Sequence, residues 1–223
     1  MTPVADPTMR VERKMFASGA RYVIGLDEVG RGAIAGPVAV GAALIAPTRR
    51  RIPAGLRDSK MLSEKRREEL APLAASWSLH SAVGLATCDE VDAIGLTACL
   101  GLAARRALEA LAELGAPVSE AVVLLDGNWD YVNRALPAPV PVQTRIKADR
   151  DCASVAAASV IAKVHRDRLM IDRHAVEPRY GWAGNKGYGS TEHMAAIAEH
   201  GPSDFHRRTW LRTAEGEPLL ARS

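Results

Sequence analysis

The stretch YVIGLDEVGRG, residues 22–32, runs an apolar segment into two adjacent carboxylates and a Gly-Arg-Gly turn. A run of β-favouring residues reads as a core strand, and ending it on Asp27 and Glu28 places two mutually repelling charges where burial gives out. Either that end is a plain surface turn, or something cationic meets it. The same setting recurs twice. EAVVLLDGN brings a buried strand to Asp126, and VPVQTRIKAD brings a third strand towards Asp149.

Between these runs the chain alternates strand and helix signals. Residues 22–26 and 38–46 read as two strands, and Ser63 caps a helix over EKRREELAPLAAS that Pro72 is expected to end or kink. Residues 77–86 alternate as a half-buried strand. TCDE is a capping box from Thr87 to Glu90, and LTACLGLAARRALEALAELG is a long helix stopped by Gly115 and Pro117. Asp151 or a neighbour caps a helix over ASVAAASVIAKVHRDRLMIDRHA, followed by glycine-rich loop sequence to Gly189 and a short helix at TEHMAAIAEHG. Strands interleaved with helices argue for an α/β domain, one central sheet covered by helices. Active sites of such sheets lie at strand ends, so one common end for all four carboxylates is the economical arrangement. Neighbours in a strand face opposite ways, so Asp27 and Glu28 share a site only if the strand twists or breaks at the 30–32 turn.

The 223 residues suit one large domain or two small ones, and 48% apolar content supports a sizeable core. With only 4% aromatics, Tyr188 between two glycines asks for a purpose. A net charge of +3 is compatible with a polyanionic partner once metal-binding carboxylates are discounted. Cys88, Cys99 and Cys152 lack metal or redox spacing and read as small buried residues of a reduced, cytoplasmic protein. The longest apolar run, 33–46, contains Gly36, Pro37 and Gly41 and is shorter than the roughly 20 residues a bilayer requires, so no membrane span is expected. Residues 1–19 show no apolar signal region and read as a flexible leader. No exposed heptad or apolar stripe asks for a second copy, so a monomer is expected.

Four gathered carboxylates without compensating cations would repel until some were protonated, unless a cation sat among them. All-oxygen ligands favour Mg²⁺ or Mn²⁺ over Zn²⁺, and two such ions about 3.5–4 Å apart suit phosphodiester hydrolysis. Singly, Asp126 could be turn chemistry and Asp149 a helix cap. The glycines at 30, 32 and 36 follow a GxGxxxG spacing, and an acidic pair stands where a dinucleotide pyrophosphate would need positive potential. NKGYGS, with a lysine, an aromatic face and permissive glycines, suits nucleic-acid contact. No GxSxG elbow, HExxH helix or Walker loop is present.

The segments GLDEVGRGAIAGPV, LRDSKMLS, LLDGN, KADRDCASVAAASVIAKVHRD, NKGYGST and HGPSDFHRRTW, in that order, resemble the bacterial ribonuclease HII family. The resemblance implies a ribonuclease H-like fold, a central mixed sheet flanked by helices, over residues 20–212, with 213–223 as a tail. It implies an acidic quartet of Asp27, Glu28, Asp126 and Asp149 holding two divalent ions, Mn²⁺ or Mg²⁺, with Asp27 between them. It implies hydrolysis of the RNA strand of RNA–DNA hybrids and incision of duplex DNA at embedded ribonucleotides, leaving 5′-phosphate and 3′-hydroxyl ends. Gly30, Arg31, Gly32 and Tyr188 then read the ribose 2′-hydroxyl, and Ser59, Lys60 and Lys186 are phosphate contacts. Met61 and Ser190 stand where the family more often has Lys and Thr.

Overall fold

The computed structural model describes residues 5–47 and 51–212. The strands are β1 (Tyr22–Val29), β2 (Val38–Ile45), β3 (His80–Ala86), β4 (Ala121–Asp126) and β5 (Val142–Arg145). The helices are α1 (Arg10–Ala17), α2 (Glu64–Trp77), α3 (Cys88–Ile94), α4 (Leu96–Glu113), α5 (Ala148–Asp151), α6 (Ala153–Val176), α7 (Trp182–Asn185) and α8 (Thr191–His200). The expected tail, 213–223, lies outside the described residues.

The strands form one mixed sheet in the order β3-β2-β1-β4-β5. β1, β2 and β3 form an antiparallel meander, while β4 and β5 run parallel to β1. Because side chains alternate, β1 sends Ile24 and Leu26 to one face, where they join Leu100, Ala103 and Ala107 of α4. Val23 goes to the other face, with Val155, Ala157 and Val160 of α6 and Leu70 and Ala74 of α2. Burial on both faces explains why β1, β2 and β4 read as near-continuous apolar runs. Gly25 permits the close approach of α6, since a Cβ there would run into the backbone of Ser154 and Val155.

Local signals were reliable. Ser63 caps α2 by accepting from Arg66 N, and Thr87 and Glu90 close a reciprocal capping box on α3. Four expectations need correction. α2 runs through Pro72 to Trp77, so the strand expected from residue 77 begins at His80. The third acid-bearing strand ends at Arg145, and Asp149 belongs to α5 beyond it. Asp151 pairs with Arg145 at 2.6 Å, while Cys152 occupies the α6 N-cap position without a side-chain cap. The segment expected as a flexible leader carries α1, whose Met15, with Met9 before it, packs into the α6 face of the core. The three cysteines are free and buried as expected, and among the described residues no helix is long and apolar enough to cross a membrane.

Candidate active site

The parallel strands β1 and β4 end side by side, and this brings Asp27 and Asp126 together. Asp149 arrives by a different route. Lys147 adopts a left-handed conformation (φ 61°), an unusual state for a side-chain-bearing residue, and turns the chain sharply from β5 into α5. The turn aims two backbone amides back at β4. Ala148 N and Asp149 N donate to Asp126 Oδ1 at 2.6 and 3.4 Å. Oxygens of Asp27, Asp126 and Asp149 all lie within 4.8 Å of one another.

Glu28 follows the alternation of β1 instead. The strand remains regular through Val29, so Glu28 turns to the α4 side, where Tyr131 Oη donates to it at 3.4 Å and Arg31 Nη1 lies 3.5 Å away. It lines a cleft of about 110 Å³ with Arg31, Asp126, Asn128, Trp129 and Tyr131. Asp126 reaches both groups, so three carboxylates cluster and the fourth stands across the sheet edge.

The electrostatics are those of an incomplete site. Burial pushes the Asp27 carboxyl well above its ordinary range; a hydrogen bond from Ser159 opposes this, while Glu28, Asp126 and Asp149 add to it. Asp149 is pushed up to about 6, by burial first and then by Asp126 and Asp58, with Lys60 opposing. Lys60 Nζ stands 3.9 Å from Asp149 Oδ2 on an otherwise exposed side chain. Desolvation lowers the Lys60 ammonium, yet Asp27, Asp58, Asp149 and Glu28 together hold it above its usual value. One ammonium does not balance this much negative charge. Clustered oxygen donors of this kind fit a hard divalent cation.

The other expected contact residues fall into two groups. Gly30, Arg31 and Gly32 form the turn after β1, and Tyr188 is exposed with its ring 5.6 Å from the Arg166 guanidinium. Ser59 is buried, its hydroxyl accepting from that of Ser159 at 3.0 Å. Lys186 is also buried, its ammonium donating to the Ala183 carbonyl and lying 3.3 Å from Glu64.

Residues without an assigned role in the sequence reading hold the turn in place. Arg166, fully buried, donates to the carbonyls of Pro37, Ala35 and Lys186 at 2.8, 3.0 and 2.8 Å. Arg207, equally buried, donates to Gly30, Arg31 and Gly36 carbonyls at 2.7–3.2 Å. Behind Tyr188, His193 Nδ1 donates to the Tyr188 carbonyl at 2.8 Å. His206 Nδ1 accepts from Ser203 N, which leaves its Nε2 proton to face His193 Nε2 at 3.1 Å. Both rings are therefore neutral, and burial, with His193 second, pushes His206 down to about 4. An arginine within the apolar run SVIAKVHRD was the available signal for Arg166.

A groove of about 550 Å³ lies between α2 and α6 beside Pro72, His165 and Arg168, away from the carboxylates.

The comparisons agree with this fold. The family model of Ribonuclease HII matches residues 24–213. A Ribonuclease HII of Streptomyces avermitilis is 49% identical over 209 residues, covering 93% of this chain and 85% of that protein. The ribonuclease H2 of Pyrococcus horikoshii superposes with a TM-score of 0.64 at 27% identity, over 85% of this chain and 93% of that one. A Bst-RNase HIII solved in complex with Mn²⁺ gives 0.66 at 27% identity, over 82% of this chain and 64% of that one. A match spanning the sheet, the acidic cluster and the loops around it shows that the chain belongs to the ribonuclease HII family of metal-dependent endoribonucleases.

Proposed function

We propose that the chain cuts the RNA strand of RNA–DNA hybrids and incises duplex DNA at embedded ribonucleotides, leaving 5′-phosphate and 3′-hydroxyl ends by a two-metal route. The observation that carries this reading is the convergence of Asp27, Asp126 and Asp149 from a strand end, a second strand end and a short helix. These three would hold the divalent ions, Mg²⁺ or Mn²⁺, with Glu28 contributing from the α4 side. When bound, such ions activate a water and stabilise the leaving oxygen of a phosphodiester.

The chain's own residues orient the acids and the substrate. The α5 amides fix one oxygen of Asp126 by donating to its Oδ1. Lys60 supplies a mobile positive charge at the rim, suited to a substrate phosphate. Gly32 has open space around the position its Cβ would take, so packing within the chain does not account for it. Close approach of a ribose would account for it, with Tyr188 on the neighbouring loop that Arg166 ties down. The 2′-hydroxyl is the group that separates RNA from DNA, and in this reading the pair of loops would meet it.

The test is a labelled DNA duplex carrying one ribonucleotide, an RNA–DNA hybrid and an all-DNA control, each with Mn²⁺, Mg²⁺ or chelator. We expect incision at the 5′ side of the ribonucleotide and within the hybrid's RNA, only with metal, and none in the control. Folded protein that cuts neither RNA-containing substrate in either metal would overturn the reading.

A further inference from the structure

We propose that Thr8 and Glu12, ahead of β1, are positioning residues for the acidic centre: they clamp the α5–α6 junction and so set where Asp149 stands relative to Asp27. The proposal rests on the reading of Asp27, Asp126 and Asp149 as the metal centre. Both residues precede position 24, where the family match begins.

A helix leaves its first amides without internal acceptors, and α6 has no side-chain cap of its own at Cys152. The N-terminal segment supplies the acceptors. Ala153 N donates to the Thr8 carbonyl at 3.1 Å, and Ser154 N donates to Glu12 Oε1 at 2.9 Å. The Ser154 hydroxyl donates to the same oxygen at 2.8 Å. In the opposite direction Thr8 N donates to the Asp151 carbonyl at 3.0 Å, which completes an isolated bridge between Thr8 and Cys152. Residues 151–154 are thus held by partners about 140 positions away in sequence.

The place that is clamped lies between the acids. Cys152 N donates to the Ala148 carbonyl at 2.8 Å, which couples the junction to the turn carrying Asp149. Two turns into α6, the buried Ser159 donates to the Ser59 hydroxyl at 3.0 Å, next to Lys60 at the rim of the acidic centre. The first turn of α6 also rests on β1 at Gly25, two residues before Asp27. A shift of this turn therefore changes Asp149 and the strand beneath Asp27 at once.

Glu12 itself bears the mark of a placed group. It is fully buried, its Oε2 has no hydrogen-bond partner, and burial raises its carboxyl above the ordinary range. A carboxyl in such a seat is costly, and the N-terminus of a 24-residue helix is a setting that offsets the cost. A Ser or Asp at position 152 would cap α6 locally. The remote carboxylate instead makes the cap conditional on the docking of α1.

The test is Mn²⁺ binding to nucleic-acid-free full-length protein, followed by the loss of the free-ion paramagnetic resonance signal, beside Tm and cleavage kinetics. Glu12→Gln keeps an acceptor at the same reach and is expected to bind Mn²⁺ as wild type does. Glu12→Ala is expected to weaken Mn²⁺ binding about tenfold, the scale seen when partners supporting metal ligands are lost, and to lower kcat while the substrate KM stays unchanged. Should Glu12→Ala not fold, Glu12→Asp keeps the charge, withdraws the acceptor by one methylene and is expected to show the same loss. A merely structural role would lower Tm and leave the Mn²⁺ isotherm, measured well below Tm, untouched; that result overturns the proposal, as does a Gln variant as weak as Ala. Wild-type protein that binds no Mn²⁺ overturns the metal reading and the proposal together, whereas one isotherm shared by all variants overturns the proposal alone.

Discussion

Around Asp27, Asp126 and Asp149, carboxylates crowd together with one ammonium nearby, whereas beneath the turn that follows β1 two guanidiniums are buried with no carboxylate in ion-pair distance among the described residues. Both regions break charge pairing, in opposite senses and within a few residues of each other. The difference is in the hydrogen-bond inventory. A guanidinium presents its N–H donors in a planar fork, and every guanidinium nitrogen of Arg166 and Arg207 donates to a backbone carbonyl, so neither needs an anion. Carboxylates offer only lone pairs and cannot satisfy one another. The arginine region is therefore finished structure that holds two loops still, and the acidic region is unfinished until a cation arrives.

The largest effect separating the two halves comes from the acids. Asp27→Asn is expected to lower cleavage about 10²–10³-fold, the scale of removing one group aimed at developing charge, while raising the Tm of metal-free protein because a buried charge is gone. The pH dependence carries the same message. Asp149 sits near 6 in the folded chain against an ordinary 3.8, so the contribution of its acid form is complete below the ordinary value and is lost as pH rises through about 6. Metal-free protein is then weakest above that point, and Mn²⁺ should raise Tm more at about pH 7.5 than at about pH 5. Near-full cleavage by Asp27→Asn with unchanged metal dependence would break this half of the comparison.

The arginine half predicts a loss of stability. Arg166→Met strands three buried carbonyls, each worth about 1–3 kcal/mol, so urea unfolding should show a loss of about 3 kcal/mol or more. Arg166→Lys should not restore it, because one ammonium cannot span three carbonyls set for a fork. In protein that still folds, KM for the ribonucleotide-bearing duplex should rise more than kcat falls. A Met variant as stable as wild type would show that the carbonyl spokes carry little.

A smaller effect sharpens the boundary behind Tyr188. His206 is held neutral, near 4 against an ordinary 6.5, so the unfolded chain binds the extra proton between those values and stability falls as pH drops through that window. The shift corresponds to no more than about 3 kcal/mol. Urea midpoints from about pH 7 to about pH 4 should fall more steeply for wild type than for His206→Gln; identical slopes would remove His206 from the account.

How much was legible follows from how local each feature is. Asp27 and Asp126 could be read as strand-end carboxylates because an apolar run and the turn after it are contiguous. Ser63 and the Thr87–Glu90 box were legible for the same reason. Asp149 was found as a candidate but set on the wrong element, since the left-handed turn at Lys147 leaves no glycine to announce it. Ser59 and Lys186 looked like free phosphate contacts, and only their packing against Ser159 and beside Glu64 shows them engaged within the chain. Residues 1–19 read as a flexible leader because no apolar signal region stands among them; α1 holds its place through Met9, Met15 and one buried carboxylate.

By itself, then, the sequence determined the class of the fold, marked Asp27 and Asp126 as acids at strand ends and pointed to a divalent cation, because each depends on residues adjacent in the chain. Tertiary structure alone decided that three carboxylates meet while Glu28 stands across the sheet edge, that two arginines face carbonyls rather than acids, and that α6 takes its cap from Thr8 and Glu12. Those outcomes depend on which surfaces pack together across 100 or more residues, and the low tolerance of a close-packed core for unpartnered polar groups selects among them.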